Sequence, residues 1–301
     1  MKPALSIILI ALSGAVLWAN TIGGFGADVV SRVLFCALCI VGLAARSIRE
    51  TILLGVAMVL AVLVLQQPDG WAKIFAGLDL ATYFAAFIAL LTALKIAAER
   101  SRSVLAVGRY LIGQPTGRRF FATASGGHIL GVFLNFGAVS LMAPLIQSAT
   151  KHADGSTNTD LERRQMSALL RGFAWILLWA PTTLTQTVLL TLFVEIDLAK
   201  IWTLGIGTAI LMIFVGFIYD RFEWRSLPVD RDIQAPFCPW SELGILSAIC
   251  AVLIGTVVAL QIVAGFSTAL ALMFVAPTVT VIWFLLQKPV DSSLAEQGAR
   301  F

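Results

Sequence analysis

The sequence predicts an all-α polytopic membrane protein with about eight transmembrane helices, one re-entrant helical hairpin and one broken helix. Three observations carry this. The 301 residues are 59% hydrophobic and only 13% charged, with a mean hydropathy of +0.91, a balance outside the range of soluble domains. Apolar runs of about 20 residues recur between short polar or Gly/Pro turns. Lys and Arg collect in alternate loops, the pattern that holds loops in the cytoplasm. The net charge of +4 comes from those loops and not from a nucleic-acid surface, since no long basic run is present.

The first run, 4–19, follows Met1 and Lys2. It reads either as a first transmembrane helix or as a signal peptide. Its length and the lack of a clean small-residue cleavage site favour the helix. Lys2 sets the N-terminus inside. Runs at 29–45 and 51–66 follow, joined by the basic turn of Arg46 and Arg49, then a fourth at 78–97. Asp79 reads as a cap at its outer interface. Cys36 and Cys39 share a helix face in the second run, with no His or carboxylate near them, and with Cys238 and Cys250 they read as small apolar residues.

Residues 95–119 form the basic cytoplasmic block, with Lys95, Arg100, Arg102, Arg109, Arg118 and Arg119. Inside it, SVLAVGRYLIGQPTGRR is too short and too basic to span. Val104, Leu105, Val107, Leu111 and Ile112 alternate with Arg102, Arg109 and Tyr110, which predicts a helix lying in the cytoplasmic interface, or else a plain loop.

The next run, 119–149, is the hairpin. Basic loops flank it on both sides, with Lys151, Arg163 and Arg164 beyond it. A single crossing would put one of these loops outside, together with Arg221, Arg225 and Arg231 later in the chain. A segment that enters and leaves on one side keeps them all inside, with Lys288, and leaves Glu195 and Asp197 outside. Its interior carries Ser125, Gly126, Gly127, His128, Asn135, Gly137, Ser140 and Pro144, polar and irregular for lipid and tolerated only against protein or a wet cavity. Asn135 is the predicted tip, Gly137 allows close approach, and Gly127 with Gly131 makes a small-residue face for a neighbouring helix. His128 reads equally as a proton relay or as a satisfied polar group near the cytoplasmic mouth. His152 reads as a loop residue.

The fifth span, 165–193, is longer than a bilayer needs. Pro181 at its middle predicts a break near 179–183, followed by Thr182, Thr183, Thr185, Gln186 and Thr187. Freed carbonyls and these oxygens would line a site, as in secondary transporters; a proline kink rescued by hydroxyls is the plainer alternative. Arg171 reads as snorkelling to the interface. Spans at 200–219, 242–264 and 267–287 complete the chain. Between them Glu223, Asp230 and Asp232 alternate with arginines, as a mutually paired loop rather than a metal site.

The succession of ALLTALKIAAERSRS, VLAVGRYLIGQPTGRR, FLNFGAVSLMAPLI and GFAWILLWAPTTLTQT resembles the ion transporter superfamily, which includes arsenite-pump membrane subunits, sodium–proton antiporters and divalent-anion or citrate transporters. The resemblance covers residues 78–195 by motif and the rest by topology. It implies that Asn135, Gly137, Ala138 and Ser140 border a site shared with Pro181, Thr182 and Thr183. In those proteins the tip carries Ser-Asn-Thr or Asp-Asn; here Leu134 and Phe136 flank Asn135, a departure from the usual sodium site. The fold has two inverted repeats. Residues 29–219 match one, and 242–287 match the start of the second within a single membrane domain, 1–301. A homo-oligomer or a second membrane subunit is therefore expected.

The implied function is a secondary active transporter of a small anion or carboxylate, coupled to protons or sodium (Na+), with site residues Asn135, Gly137, Ala138, Ser140, Pro181, Thr182, Thr183, Thr185 and Gln186. The expected setting is the inner (plasma) membrane, multi-pass, with both termini cytoplasmic. No other cofactor and no nucleic acid is expected. A membrane-embedded enzyme and a non-transporting accessory subunit are the alternatives. The first lacks paired intramembrane carboxylates and any HExxH or GxSxG motif.

Overall fold

The structure, a computed structural model, describes residues 2–44, 48–99, 101–151, 156–193, 197–223 and 237–286. Arg46, Arg100, His152, Glu195, Arg225, Asp230, Arg231, Asp232 and Lys288, expected in loops, lie outside the described residues. Those described are helical almost throughout, with one isolated antiparallel bridge, Lys151 to Thr157. The helices are α1 (Lys2–Thr21), α2 (Phe25–Ala44), α3 (Ile48–Leu65), α4 (Gly70–Glu99), α5 (Arg102–Ile112), α6 (Thr116–Leu134), α7 (Phe136–Ala149), α8 (Thr159–Ala174), α9 (Leu184–Leu192), α10 (Leu198–Glu223), α11 (Trp240–Ala264) and α12 (Thr268–Leu286). A 3₁₀ turn, Trp175–Leu178, follows α8. Among them α4, α10, α11 and α12 are long and apolar enough to cross a membrane.

The described residues form two compact units, one within 2–92 with 270–274 and one within 93–269 with 275–286. In the first, α1 packs along α2. Arg32 of α2 grips Asp79 of α4 with both arms of its guanidinium, Nε to Oδ1 at 2.6 Å and Nη2 to Oδ2 at 2.8 Å, and lies 5.0 Å from the Phe75 ring centre. This corrects the reading of Asp79 as a cap. α4 starts at Gly70, so Asp79 lies well inside it and serves as the counter-ion of Arg32. A charged pair in so apolar a helix is held by mutual compensation.

The second unit holds the hairpin. α6 and α7 are separated by Asn135 alone and fold back on each other. α5 touches both arms at matching distance from the tip, with Gly108 against Leu141 and Leu145 of α7 and Leu111 against Gly126 of α6. The basic stretch is thus a helix and not a plain loop. It buries Val104, Val107 and Ile112 and leaves Arg102 and Arg109 exposed.

α8 crosses α6 at backbone contact. A methyl group on Gly172 would overlap the Ala124 carbonyl oxygen, and one on Gly127 would sit 2.9 Å from the Leu169 carbonyl oxygen. Gly131 faces Phe173 and Ile176, so the small-residue face expected of Gly127 and Gly131 is the seat of α8. After α7 the chain is stapled to the start of α8, since Asn158 N–H donates to the Thr150 carbonyl at 2.9 Å and the Asn158 side chain caps the Leu161 amide. A buried bidentate pair, Arg164 to Asp220 at 2.8 and 2.5 Å, ties α8 to α10.

Candidate functional site

The site begins with a helix that cannot continue. In a regular helix the Leu177 carbonyl would accept from the amide of residue 181, but Pro181 has none and its ring clashes one turn back. α8 tightens into the 3₁₀ turn, and Trp179 leaves helical geometry at φ −146°, ψ −24°. The helix resumes at Leu184, where Thr183 takes the extended N-cap conformation and accepts from the Gln186 amide. The expected break over 179–183 is therefore present, although the span is longer than the predicted 165–193, beginning at Thr159.

The orphaned carbonyls are answered by side chains from the far side of the break. Gln186 Nε2 donates to Leu177 O at 3.2 Å and to Leu178 O at 2.7 Å. Thr183 Oγ1 donates to Ala180 O at 2.8 Å. A fully formed helix would need none of these bonds; here they replace the missing ladder.

The hairpin tip has the same problem and shares the answer. Asn135 adopts φ 51°, ψ −129°, a conformation glycine favours and other residues hold at a cost of about 1–3 kcal/mol. Its turn takes the helical partner away from the Val132 carbonyl, and the Thr182 hydroxyl donates to that oxygen instead. Break and tip are thus hydrogen-bonded to one another. Around them Val132, Phe173, Ile176 and Ala180 form a buried cluster covered by Phe133, Val139 and Trp179.

Two amide oxygens in this junction have no partner, Asn135 Oδ1 and Gln186 Oε1, and both atoms are buried. Gln186 as a whole is 2% exposed, so its oxygen is committed to the interior. Such oxygens are acceptors waiting for a donor or a cation. Thr123 Oγ1 and Gln165 Oε1, on α6 and α8, are unpartnered too.

The other expected residues divide. Gly137 and Ala138 are buried at the first turn of α7, Ala138 at 0% exposure, and Thr182 and Thr183 are buried in the junction. Ser140 is exposed and its hydroxyl turns back to the Phe136 carbonyl; Thr185 is exposed as well. These two do not face the junction, a consequence of helical phase. Ser140 stands one turn on from the exposed Phe136 and shares its outward face, and Thr185 precedes the inward Gln186 by one residue.

Sequence reasoning missed three features. Lys95, read as the basic end of the fourth helix, lays its stem on Gly137 of the hairpin, 2.7 Å from where a Cβ there would stand; its amine is 3.7 Å from Glu99. The Arg164–Asp220 pair joins residues 56 apart in sequence. His128 has both ring nitrogens occupied, Nδ1 at 3.0 Å from the Gly172 carbonyl and Nε2 at 3.1 Å from the Trp179 indole nitrogen. None of the three carries a local signal, because each joins residues more than 40 apart in sequence. Arg171 lies over the Tyr219 ring at 5.1 Å. No family model matches this chain, and neither a curated protein nor a solved structure does.

Proposed function

We propose that the chain is a secondary active transporter, or one part of one, that moves a small anion or carboxylate coupled to protons or sodium. The observation that carries this reading is the junction of the Asn135 tip with the Pro181 break through Thr182 and the Val132 carbonyl. Half-helix ends and unwound backbone meeting inside a bundle are how such proteins make sites for substrate and ion. Asn135, Gly137, Ala138, Pro181, Thr182, Thr183 and Gln186 are the residues of that site. The unpartnered oxygens of Asn135 and Gln186 suit a cation, and the N-terminal turn of α7 suits an anion.

In this reading the chain is a multi-pass protein of the inner membrane, with about eight spans, the hairpin entering from the cytoplasm and both termini cytoplasmic. It is a member of the ion transporter superfamily. The second of the two paired junctions comes from another copy, another subunit or further sequence, because one junction alone would leave unwound backbone facing lipid.

Uptake into proteoliposomes tests the reading, with di- and tricarboxylates and oxyanions offered under an imposed sodium or proton gradient. Asn135→Ala and Gln186→Leu are expected to lower uptake at least about tenfold, the loss of roughly 1.4 kcal/mol of binding or more, while remaining folded. Uptake unchanged in both variants would remove the junction from the transport path.

A further inference from the structure

His128 of α6 bridges the intact part of the broken helix and the break itself. Nδ1 lies 3.0 Å from the Gly172 carbonyl, which only accepts, so Nδ1 carries the proton. Nε2 is then the bare nitrogen and accepts from the Trp179 indole N–H at 3.1 Å. The two rings lie 5.8 Å apart at 34°. This arrangement exists only for the neutral ring. In imidazolium both nitrogens donate, and indole has only a donor to offer, so the second contact becomes N–H against N–H.

The two partners differ in freedom. Gly172 belongs to the crossing where α6 and α8 touch backbone to backbone, so the Nδ1 side is fixed. Trp179 is the first residue outside helical geometry, tied by its amide to Ile176 O at 3.2 Å. Its backbone neighbour Leu178 O also holds the Gln186 amide. Movement of Trp179 therefore reaches the junction. Gly205 of α10 gives the backbone of the break its room, since a Cβ there would stand 2.7 Å from both Leu178 O and Trp179 Cβ.

We propose that His128 is a proton-operated latch: taking a proton from water at Nε2 expels the Trp179 indole and loosens the break from 179 to 183. Neither the carbonyl nor the indole can pass the proton on, so His128 holds it and returns it by the route it came, through its half-buried face. The charged and titratable groups on the elements packed against α6 are few near the ring. α7, the 3₁₀ turn and α9 have none. α8 offers Arg171, turned over Tyr219 of α10; further along, Arg164 and Asp220 neutralise each other, and Asp160, Glu162 and Arg163 stand at the start of α8. The far end of α10 carries Lys200, and its last turn Arg221 and Glu223. α5 carries Arg102, Arg109 and Tyr110, and α6 itself Arg118 and Arg119. As a coupling device the latch rests on the transporter reading; as a pH-dependent contact it stands on the geometry alone.

The test uses the full chain in lipid nanodiscs. Trp179 emission, taken as wild type minus Trp179→Phe, is followed from about pH 8 to about pH 5, the range in which histidine ordinarily titrates. The expected result is a sigmoidal red shift that disappears in His128→Gln. A signal independent of pH, or one that titrates unchanged in His128→Gln, overturns the latch. The chain has 2 histidines, so ring-¹⁵N-histidine spectra of the unmutated protein give a check that needs no variant at the site. The Nδ1-protonated neutral tautomer is expected for His128, and the Nε2-protonated tautomer overturns the proposal. If emission titrates but the pH dependence of uptake survives His128→Gln, the coupling role falls. If emission titrates and Asn135→Ala leaves uptake intact, it is the transporter site that fails and the latch that stands.

Discussion

Asn135 combines two costs at one residue, a positive φ and a buried amide oxygen with no partner. Glycine would relieve the first and remove the second, so Asn135 costs local stability, which is what a residue of the proposed site would do. This separates two substitutions that a purely structural tip would not. Asn135→Gly is expected to melt higher than Asn135→Ala by the equivalent of about 1 kcal/mol, because alanine must hold the same φ with a Cβ, yet both lose uptake. Thermal unfolding in detergent and uptake on the same preparations check it; an alanine variant that melts above the glycine variant would show that φ is not what Asn135 pays. Gly172 makes the complementary case. Gly172→Ala pushes a methyl onto the Ala124 carbonyl and is expected to destabilise by about 1–3 kcal/mol or more, while Gly207→Ala, with open space around it, leaves the melt unchanged. Asn135 and Gly137 were legible in sequence because an amide and a glycine stand out in an apolar run. Gly172 was not, since its role is set by how closely α8 crosses α6, a distance no local pattern encodes.

At the scale of elements, the break is a hydrogen-bond problem with a visible solution. Pro181 removes one donor, and Gln186 restores donors to two carbonyls from the next helix. Gln186→Leu is expected to leave Leu177 O and Leu178 O unanswered, at a cost of about 1–3 kcal/mol, and to raise amide exchange across 184–187, whereas Gln186→Glu keeps part of the protection in its protonated form, which has one O–H to donate. Equal exchange in wild type and Gln186→Leu would mean that the break is held by packing alone. The Arg164–Asp220 pair clamps α8 to α10. Asp220 is 2% exposed, so Arg164→Ala strands a buried charge and is expected to cost roughly 3–5 kcal/mol, while the double variant Arg164→Met, Asp220→Leu recovers most of it. Thermal melts of the single and double variants decide, and a double variant as unstable as the single would show that the charges themselves are needed. Pro181 and the hydroxyls after it made the break readable in sequence, and the Asn135 tip followed from polarity in an apolar run. The clamp was not readable, because its partners belong to helices on either side of the break and each alone looks like an ordinary helix-end charge.

For the whole molecule, the all-helical class followed from composition, and among the described residues four helices are long and apolar enough on their own to cross a bilayer. α1, α3 and α7 include shorter apolar stretches, so length alone does not fix how many segments cross. Charge supplies the missing constraint. Arg118 is exposed at the start of α6, and Lys151 is exposed just after α7. α7 ends where α8 begins, through the Asn158–Thr150 bond, and the first turns of α6 pack Phe120 and Ala124 against Ala168 of α8. Both ends of the hairpin are thus tied to one helix, α8, and to the residue that caps it. A single crossing by the whole segment 119–149 would need them on opposite faces. In a background with Cys36, Cys39, Cys238 and Cys250 replaced by serine, Arg118→Cys and Lys151→Cys are therefore expected to react with a membrane-impermeant maleimide from the same side, the cytoplasmic one, in inverted vesicles but not in intact cells. Labelling of the two from opposite sides would break the hairpin reading, because α6 and α7 would then have to separate at Asn135 and the Thr182–Val132 bond could not form across the bilayer.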